Sequence, residues 1–470
     1  MTRFPRSFLW GAASASFQIE GSPVAHGAGE SIWHRYVHTP GKTECGDTGD
    51  VACDHYHLWK EDVKLMAEMG LRAYRFSISW CRLLPEGVGR VNQPGVDFYS
   101  RLIDELLRND ITPMVTLFHW DYPQALWDRG GLLTRDSAEW FGEYAALAFR
   151  SYSDRVKLWL TLNEPAVFTD CGLRKGVHAP GLKDWSAMVV GGHNLMRGHG
   201  RAVEALRGID PKGRIGVAFA LGPNLPEEET REDGAAARRN GAYSRRICDP
   251  IMLGEYPPRF LQMFAEFMPK GFEKDLPLIS RPLDILGVNY YSKWRVTHDP
   301  AVPYLQSRGV PAWEPKALPE NTAPAQSSFA KAPVPETGKR GERLTPMGWA
   351  VCPEGLYETL TWARKRYGNL ETYVTENNAA GFDAVGADGK VHDEYRIYYL
   401  REHFKAARRA MRDGVDLRGY MVWTLMDNLE WAAGFRVRCG LVHTNFKTLR
   451  RTWKDSAYWY RDVIRANGVE

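Results

Sequence analysis

Eight short runs of β-branched, aromatic and leucine residues recur along the chain, and each is followed by a segment able to hold a helix. The runs are SFLWGAAS around residue 10, RAYRFSISW (72–80), ITPMVTLFHW (111–120) and VKLWLTLNEP (156–165). Then come RIGVAFAL (214–221), LDILGVNYYS (283–292), TYVTENN (372–378) and RGYMVWTLMDN (418–428). Their apolar character is nearly continuous, as in parallel strands covered on both faces. Between them, DVKLMAEMG, GVDFYSRLIDELLRND and DSAEWFGEYAALAFRSYSD carry apolar residues at helical spacing, the first closed by a glycine stop. Eight strand–helix alternations predict an α/β fold, a single (β/α)8 TIM barrel with long βα loops spanning residues 1–470. The alternative is a doubly wound open sheet, which normally brings a phosphate-binding glycine turn. Neither GxGxxG nor GxxxxGK[ST] occurs, and PGKT at 40–43 lacks the upstream glycine and reads as a turn. Residues 299–345 are rich in Pro, Ala and charge without clear periodicity, and read as a long excursion after the sixth strand.

The polar residues in this pattern collect at one end. Reactive groups of a barrel belong at the C-terminal ends of its strands. The first run leads to Gln18 and Glu20, and the third ends in His119 and Trp120. The fourth ends in Asn163 and Glu164, the sixth in Asn289, Tyr290 and Tyr291, and the seventh in Glu376 and Asn377. The eighth carries Trp423 and leads on to Glu430 and Trp431. In WLTLNEPAV, a carboxylate ending an apolar run is costly to bury unless partnered or protonated. A solvated carboxylate just past a strand end accounts for those nine residues equally well. Together, Glu164 and Glu376 put two carboxylates across one pocket, which suits glycoside hydrolysis: one protonates the leaving oxygen, the other stabilises or attacks the anomeric carbon.

Composition narrows the classes. The 470 residues are 44% hydrophobic and 25% charged, ordinary for a globular enzyme, and a net charge of +4 without a basic run does not imply nucleic acid. Seventeen tryptophans exceed what core packing usually uses. Most read as core, but several sit beside polar residues, as in FHWDYP, NLEWAAGF and PMGWAV, where a ring face suits a sugar. Seven scattered cysteines (45, 53, 81, 171, 248, 352, 439) without a CxxC pair read as reduced thiols. With no continuous apolar leader in MTRFPRSFLWGAAS and no membrane-length run, a cytoplasmic protein is expected. CDHYHLW offers Cys53, His55 and His57 at ligand-like spacing, the mark of a metal-dependent hydrolase. They lie in a loop leading into a helix, and the strand ends supply no further ligand set. No metal and no cofactor are expected. A catalytically silent sugar-binding protein would lack one of the two glutamates, and neither is lost.

On these residues the chain resembles glycoside hydrolase family 1, the β-glucosidase family, from FLWGAASASFQIEG to KDSAYWYRDVI, with TLNEP and VTEN as its specific markers. The resemblance implies that Glu164 is the acid/base and Glu376 the nucleophile. It implies that Gln18, His119, Asn163 and Glu430 bind the glycone, that Trp423 and Trp431 line the −1 subsite, and that Trp120, Asn289 and Tyr291 also face substrate. Arg75 and Tyr291 would position the nucleophile, and Trp349 would serve the aglycone side. The implied reaction is double displacement with retention on terminal β-D-glucosyl residues, β-fucosides and β-galactosides also being open, with the two carboxyls about 5–5.5 Å apart. The implied partners are small-molecule β-glucosides or cello-oligosaccharides, with no nucleic acid and no membrane; a homo-oligomer is compatible. Glutamate at 164 separates the chain from plant thioglucosidases, which carry Gln there. Glu430 separates it from relatives acting on 6-phosphosugars, because a carboxylate repels phosphate. Four positions depart from the family: Ala166 where Trp follows NEP, Asn378 in TENN, Cys439 in RCGL and Trp453 in RRTWK. Ala166, with the small Cys171 further on, predicts an open aglycone entrance unless another aromatic such as Phe168 swings in.

Overall fold

A computed structural model describes residues 2–313 and 334–470. All eight apolar runs are strands: β1 (Leu9–Ser14), β2 (Ala73–Ser77), β3 (Thr112–Phe118), β4 (Leu158–Asn163), β5 (Arg214–Ala220), β6 (Ile285–Asn289), β7 (Glu371–Glu376) and β8 (Leu417–Trp423). Each pairs in parallel with its neighbours in chain order, and β8 returns to β1 to close a barrel. Its outer helices include α1 (His55–Met69), α2 (Gln93–Arg108), α3 (Ser137–Tyr152) and α4 (Trp185–Ile209), then α5 (Arg231–Ser244), α6 (Pro353–Tyr367), α7 (Glu394–Arg412) and α8 (Asp455–Ala466). The three helical patterns read from the sequence overlap α1, α2 and α3, each running slightly past a helix end. Gly70 ends α1 at a φ of +77°, a backbone conformation that side chains with a Cβ rarely adopt.

The barrel is filled, not hollow. Ala13, Ala73, Met114, Leu158, Leu160, Ala218, Ile285 and Met421 form one buried cluster. Gly11 permits the close approach of β1 to β2: a Cβ there would lie 2.5 Å from the carbonyl oxygen of Ala73. Truncating a large member such as Leu160 to alanine would cost about 2–5 kcal/mol.

The excursion after β6 is not featureless. Ser307–Val310 pairs antiparallel with Trp294–His298, which pairs with Asn224–Pro226 from the loop after β5, so a three-stranded ribbon stands over the C-terminal mouth. The strand was missed because its alternation is short and interrupted by Gly309. Residues 314–333 of the excursion lie outside the described residues.

Candidate active site

The C-terminal strand ends open into a cavity of about 1220 Å³, lined among others by Glu164, Glu376 and Glu430. The β6–β7 register sets Glu376 opposite Asn289, so strand pairing alone brings a carboxylate beside an amide. From β2, the buried Arg75 crosses the barrel. It donates from Nη1 to Glu376 Oε1 at 2.8 Å and from Nη2 to Asn163 Oδ1 at 2.6 Å. Tyr291 donates its hydroxyl to Glu376 Oε2 at 2.8 Å, and burial followed by the Glu376 charge keeps that phenol protonated. Both oxygens of Glu376 are therefore held in one orientation.

Glu164 hangs from the same framework. Asn289 donates its amide to Asn163 Oδ1 at 3.0 Å and to Glu164 Oε1 at 2.9 Å, and Thr375 fixes the Asn289 carbonyl at 2.6 Å. A continuous chain Glu376–Arg75–Asn163–Asn289–Glu164 thus joins the two carboxyls. Burial, then the Glu376 charge, raise the pKa of Glu164 to about 8, with the Asn289 bond and the Arg75 charge opposing. That shift favours the protonated carboxyl at neutral pH. Its backbone is left-handed, φ +43°, and Pro165 starts a short helix at once, so the side chain turns off the strand end into the cavity. That answers why an apolar strand ends in Asn-Glu-Pro.

The far side of the cavity is polar and aromatic. Because Asn163 Oδ1 already accepts from Arg75 and Asn289, its Nδ2 is the donor to His119 Nε2 at 2.9 Å. Burial and the Arg75 charge keep His119 neutral, so its proton sits on Nδ1, buried without a protein partner. Gln18 donates to the Leu429 carbonyl at 2.8 Å, and its Oε1 also lacks a partner. Glu430 is raised to about 7 by burial and then by the Glu376 charge. Trp423 stacks on His119 at 5.5 Å, and Trp431 stacks on Trp120 at 4.7 Å. Trp120 donates its indole N–H to the Asn163 carbonyl at 2.9 Å, which makes it a wall rather than a hydroxyl reader. Trp349 meets Tyr291 edge-on at 6.0 Å. Gln18 hydrogen-bonds to Glu430, and Arg75 to Glu376.

Three strand-end residues point elsewhere. Glu20 accepts from Arg82 at 2.9 Å and from Tyr99 at 2.6 Å. Asn377 donates to Tyr399 at 3.0 Å, and the Tyr290 hydroxyl donates to the Cys352 carbonyl at 2.7 Å. Nor do Cys53, His55 and His57 gather. Cys53 donates to the Asp427 carbonyl, His55 pairs with Asp62 at 2.8 Å, and His57 pairs with Asp54. His178, which sequence reasoning missed, lines the cavity, with its ring 5.6 Å from Trp120 and its pKa lowered to about 4 by burial. It follows no strand end, and only its position beside Ala179-Pro180 hinted at a fixed loop.

Two of the departures are one feature: Asn378 donates its side-chain amide to the Cys439 carbonyl at 2.7 Å, and the Cys439 thiol faces Glu430 Oε2 at 3.9 Å. Trp453 packs at 5.0 Å from Tyr458, away from the cavity. Ala166 and Cys171 both line the cavity. Phe168 does not replace the missing aromatic. It is 1% exposed and packs edge-on to Phe118 at 5.2 Å.

All seven cysteines are unpaired, and no helix among the described residues is long and apolar enough to cross a membrane. Residues 1–469 match the model of Glycosyl hydrolase family 1. A 1,4-beta-D-glucan glucohydrolase of Thermotoga neapolitana is 46% identical over 100% of both chains, and Beta-glucosidase A of Thermotoga maritima is 46% identical over 100% of this chain and 99% of its own. The solved structure of the Thermotoga maritima β-glucosidase in complex with glucoimidazole superposes with a TM-score of 0.91 at 45% identity, covering 100% of both chains.

Proposed function

The chain belongs to glycosyl hydrolase family 1 and is an enzyme of its β-glucosidase type, in which we propose that Glu376 is the nucleophile and Glu164 the acid/base. The observation that carries this reading is the bridged pair itself: a carboxyl raised to about 8 tied through Asn289, Asn163 and Arg75 to one that accepts from Arg75 and Tyr291. Glu376 attacks the anomeric carbon while Glu164 gives its proton to the glycosidic oxygen, and the aglycone leaves as an alcohol. The resulting glycosyl ester carries no charge on Glu376. One of the causes that raise Glu164 is then gone, its pKa falls, and it takes a proton from the incoming water. Two inversions return the β-anomer. The test is NMR of early product from a β-glucoside: β-glucose should appear first, and α-glucose would rule the scheme out.

Gln18, His119 and Glu430 bind the glycone hydroxyls in this scheme, two of them through atoms that have no partner within the protein. Glu430→Ser should lower kcat/KM on neutral glucosides roughly 10- to 100-fold, the worth of a hydrogen bond to a charged group. It should also relax the exclusion of 6-phosphoglucosides; an unchanged ratio of the two activities would refute the charge argument.

The substrates are small-molecule β-glucosides or cello-oligosaccharides, in keeping with the 1,4-beta-D-glucan glucohydrolase relative. With Ala166 and Cys171 on the wall and Phe168 in the core, bulky aglycones fit. Ala166→Trp should reduce activity on a flavonoid glucoside more than on cellobiose. A loss no greater for the bulky substrate contradicts the open entrance. The unpaired thiols support a reducing, cytoplasmic setting.

A further inference from the structure

We propose that His34, His38 and Asp50 form a binding site for a divalent transition-metal ion, zinc(II) above all, on the rim loop that follows β1. The short helix Ile32–Val37 ends on His38, so the two histidines stand one turn apart on one face, with ring centroids 4.4 Å apart.

Their Nδ1 atoms are already committed. His34 Nδ1 donates to Glu30 Oε1 at 3.1 Å, and His38 Nδ1 donates to the His34 carbonyl at 2.7 Å. Each ring is thereby oriented with Nε2 outward, and both Nε2 atoms face one carboxylate. His34 Nε2 lies 3.8 Å from Asp50 Oδ1, and His38 Nε2 lies 3.1 Å from Asp50 Oδ2. A tetrahedral ion with bonds of about 2.0–2.1 Å spaces its ligand atoms roughly 3.3 Å apart, between those two values. A carboxylate or carbonyl behind each imidazole is the outer-shell arrangement that fixes tautomer and ring in metal sites. The nearby Arg35 is turned to Glu30 at 2.8 Å and Asp128 at 3.2 Å, away from the three ligands.

Two imidazoles and one carboxylate suit zinc(II), nickel(II) or copper(II), whereas magnesium and calcium prefer oxygen alone. A second cluster, His392 with Glu394 and Asp455, offers a single imidazole whose two nitrogens are held by Asp455 at 2.6 Å and Asp388 at 3.0 Å. It is the poorer candidate on donor chemistry. At the first site the ion would tie Asp50 to the helix that carries Trp33. The Asp50 carbonyl already holds the Ser22 amide at 2.7 Å, and Trp33 packs on Trp431 at 4.5 Å. The ion would therefore brace the rim next to the glycone wall without touching the reacting atoms.

The test uses the full chain freed of metal by dialysis, titrated with zinc(II), and with cobalt(II) as the spectroscopic probe. One equivalent of zinc(II) should bind, and magnesium(II) should not compete. At free zinc(II) about 100 times the Kd, the folding equilibrium should shift about 100-fold, read as a raised thermal midpoint. Glu30→Gln should weaken binding roughly 10-fold, and His38→Asn and Asp50→Asn by more than that. None of the three touches the catalytic framework, so unchanged metal-free activity reports that each variant is folded. Cobalt(II) should give visible d–d absorption without a near-ultraviolet sulfur band. The proposal is overturned by zinc(II) binding that survives His38→Asn and Asp50→Asn. A sulfur band pointing to Cys45, or no saturable uptake up to about 100 µM zinc(II), overturns it equally.

Discussion

Glu376→Ala is expected to lower turnover of any β-glucoside by about 10⁴- to 10⁶-fold, the scale on which loss of a nucleophile is felt. The substitution removes the atom that attacks, and it also strips Arg75, 1% exposed, of its carboxylate. An uncompensated buried charge costs about 3–5 kcal/mol, so the variant should also unfold at lower temperature. That cost gives the experiment its second arm. A small anion such as azide fits the space left by the carboxylate and restores a partner to Arg75. With an activated aryl β-glucoside, azide should restore product formation, and the product should be the α-glucosyl azide, because a single displacement inverts. Rescue that yields the β-configured azide would mean another residue still forms the covalent ester. The assignment of Glu376 would then fall. No rescue in a folded variant would point the same way.

The barrel was legible because its strands are buried on both faces and so are apolar almost without interruption. The strand-end rule then picked out most of the polar and aromatic residues that line this cavity. It failed where one residue further along reverses the side chain. Asn377 follows Glu376 directly, and alternation along a strand sends it outward to Tyr399 instead of into the cavity. Glu20 lies two residues past Gln18, beyond the short helix Ser16–Ile19, where Arg82 and Tyr99 claim it. Contacts between distant loops left no trace in the pattern. Asn378 and Cys439 are 61 positions apart, yet share a hydrogen bond in the cavity wall. The same holds for His34, His38 and Asp50, whose convergence depends on the path of an irregular loop. The bridge through Arg75, Asn163 and Asn289 was named residue by residue from the resemblance. Its connectivity comes from barrel closure, which brings β2, β4, β6 and β7 to one point.

Glu164→Ala is expected to divide substrates by their leaving groups. A sugar or alkyl alcohol departs as a strongly basic alkoxide unless protonated, so loss of the acid should cost such substrates about 10²- to 10⁴-fold. A dinitrophenolate departs unaided, and formation of the glycosyl ester from it should change little. Its breakdown still needs a base, so the ester should accumulate as a burst. Azide, which needs no deprotonation, should relieve that step and give β-glucosyl azide, the retained configuration. The pH profile supplies the independent check. An acid raised to about 8 stays protonated through neutrality, and wild-type kcat/KM should fall only as pH rises through that value, where the proton is lost. Glu430, raised to about 7, also titrates in the cavity. The alkaline limb is therefore assigned not by its midpoint but by its dependence on the leaving group: in the wild type it should be marked with cellobiose and weak with the dinitrophenyl glucoside, whose departure needs no proton. If the wild-type limb is equal for the two leaving groups, or if cellobiose and the dinitrophenyl glucoside lose rate equally in Glu164→Ala, Glu164 is not the proton donor. The rise to about 8 would then reflect only a carboxyl buried beside another.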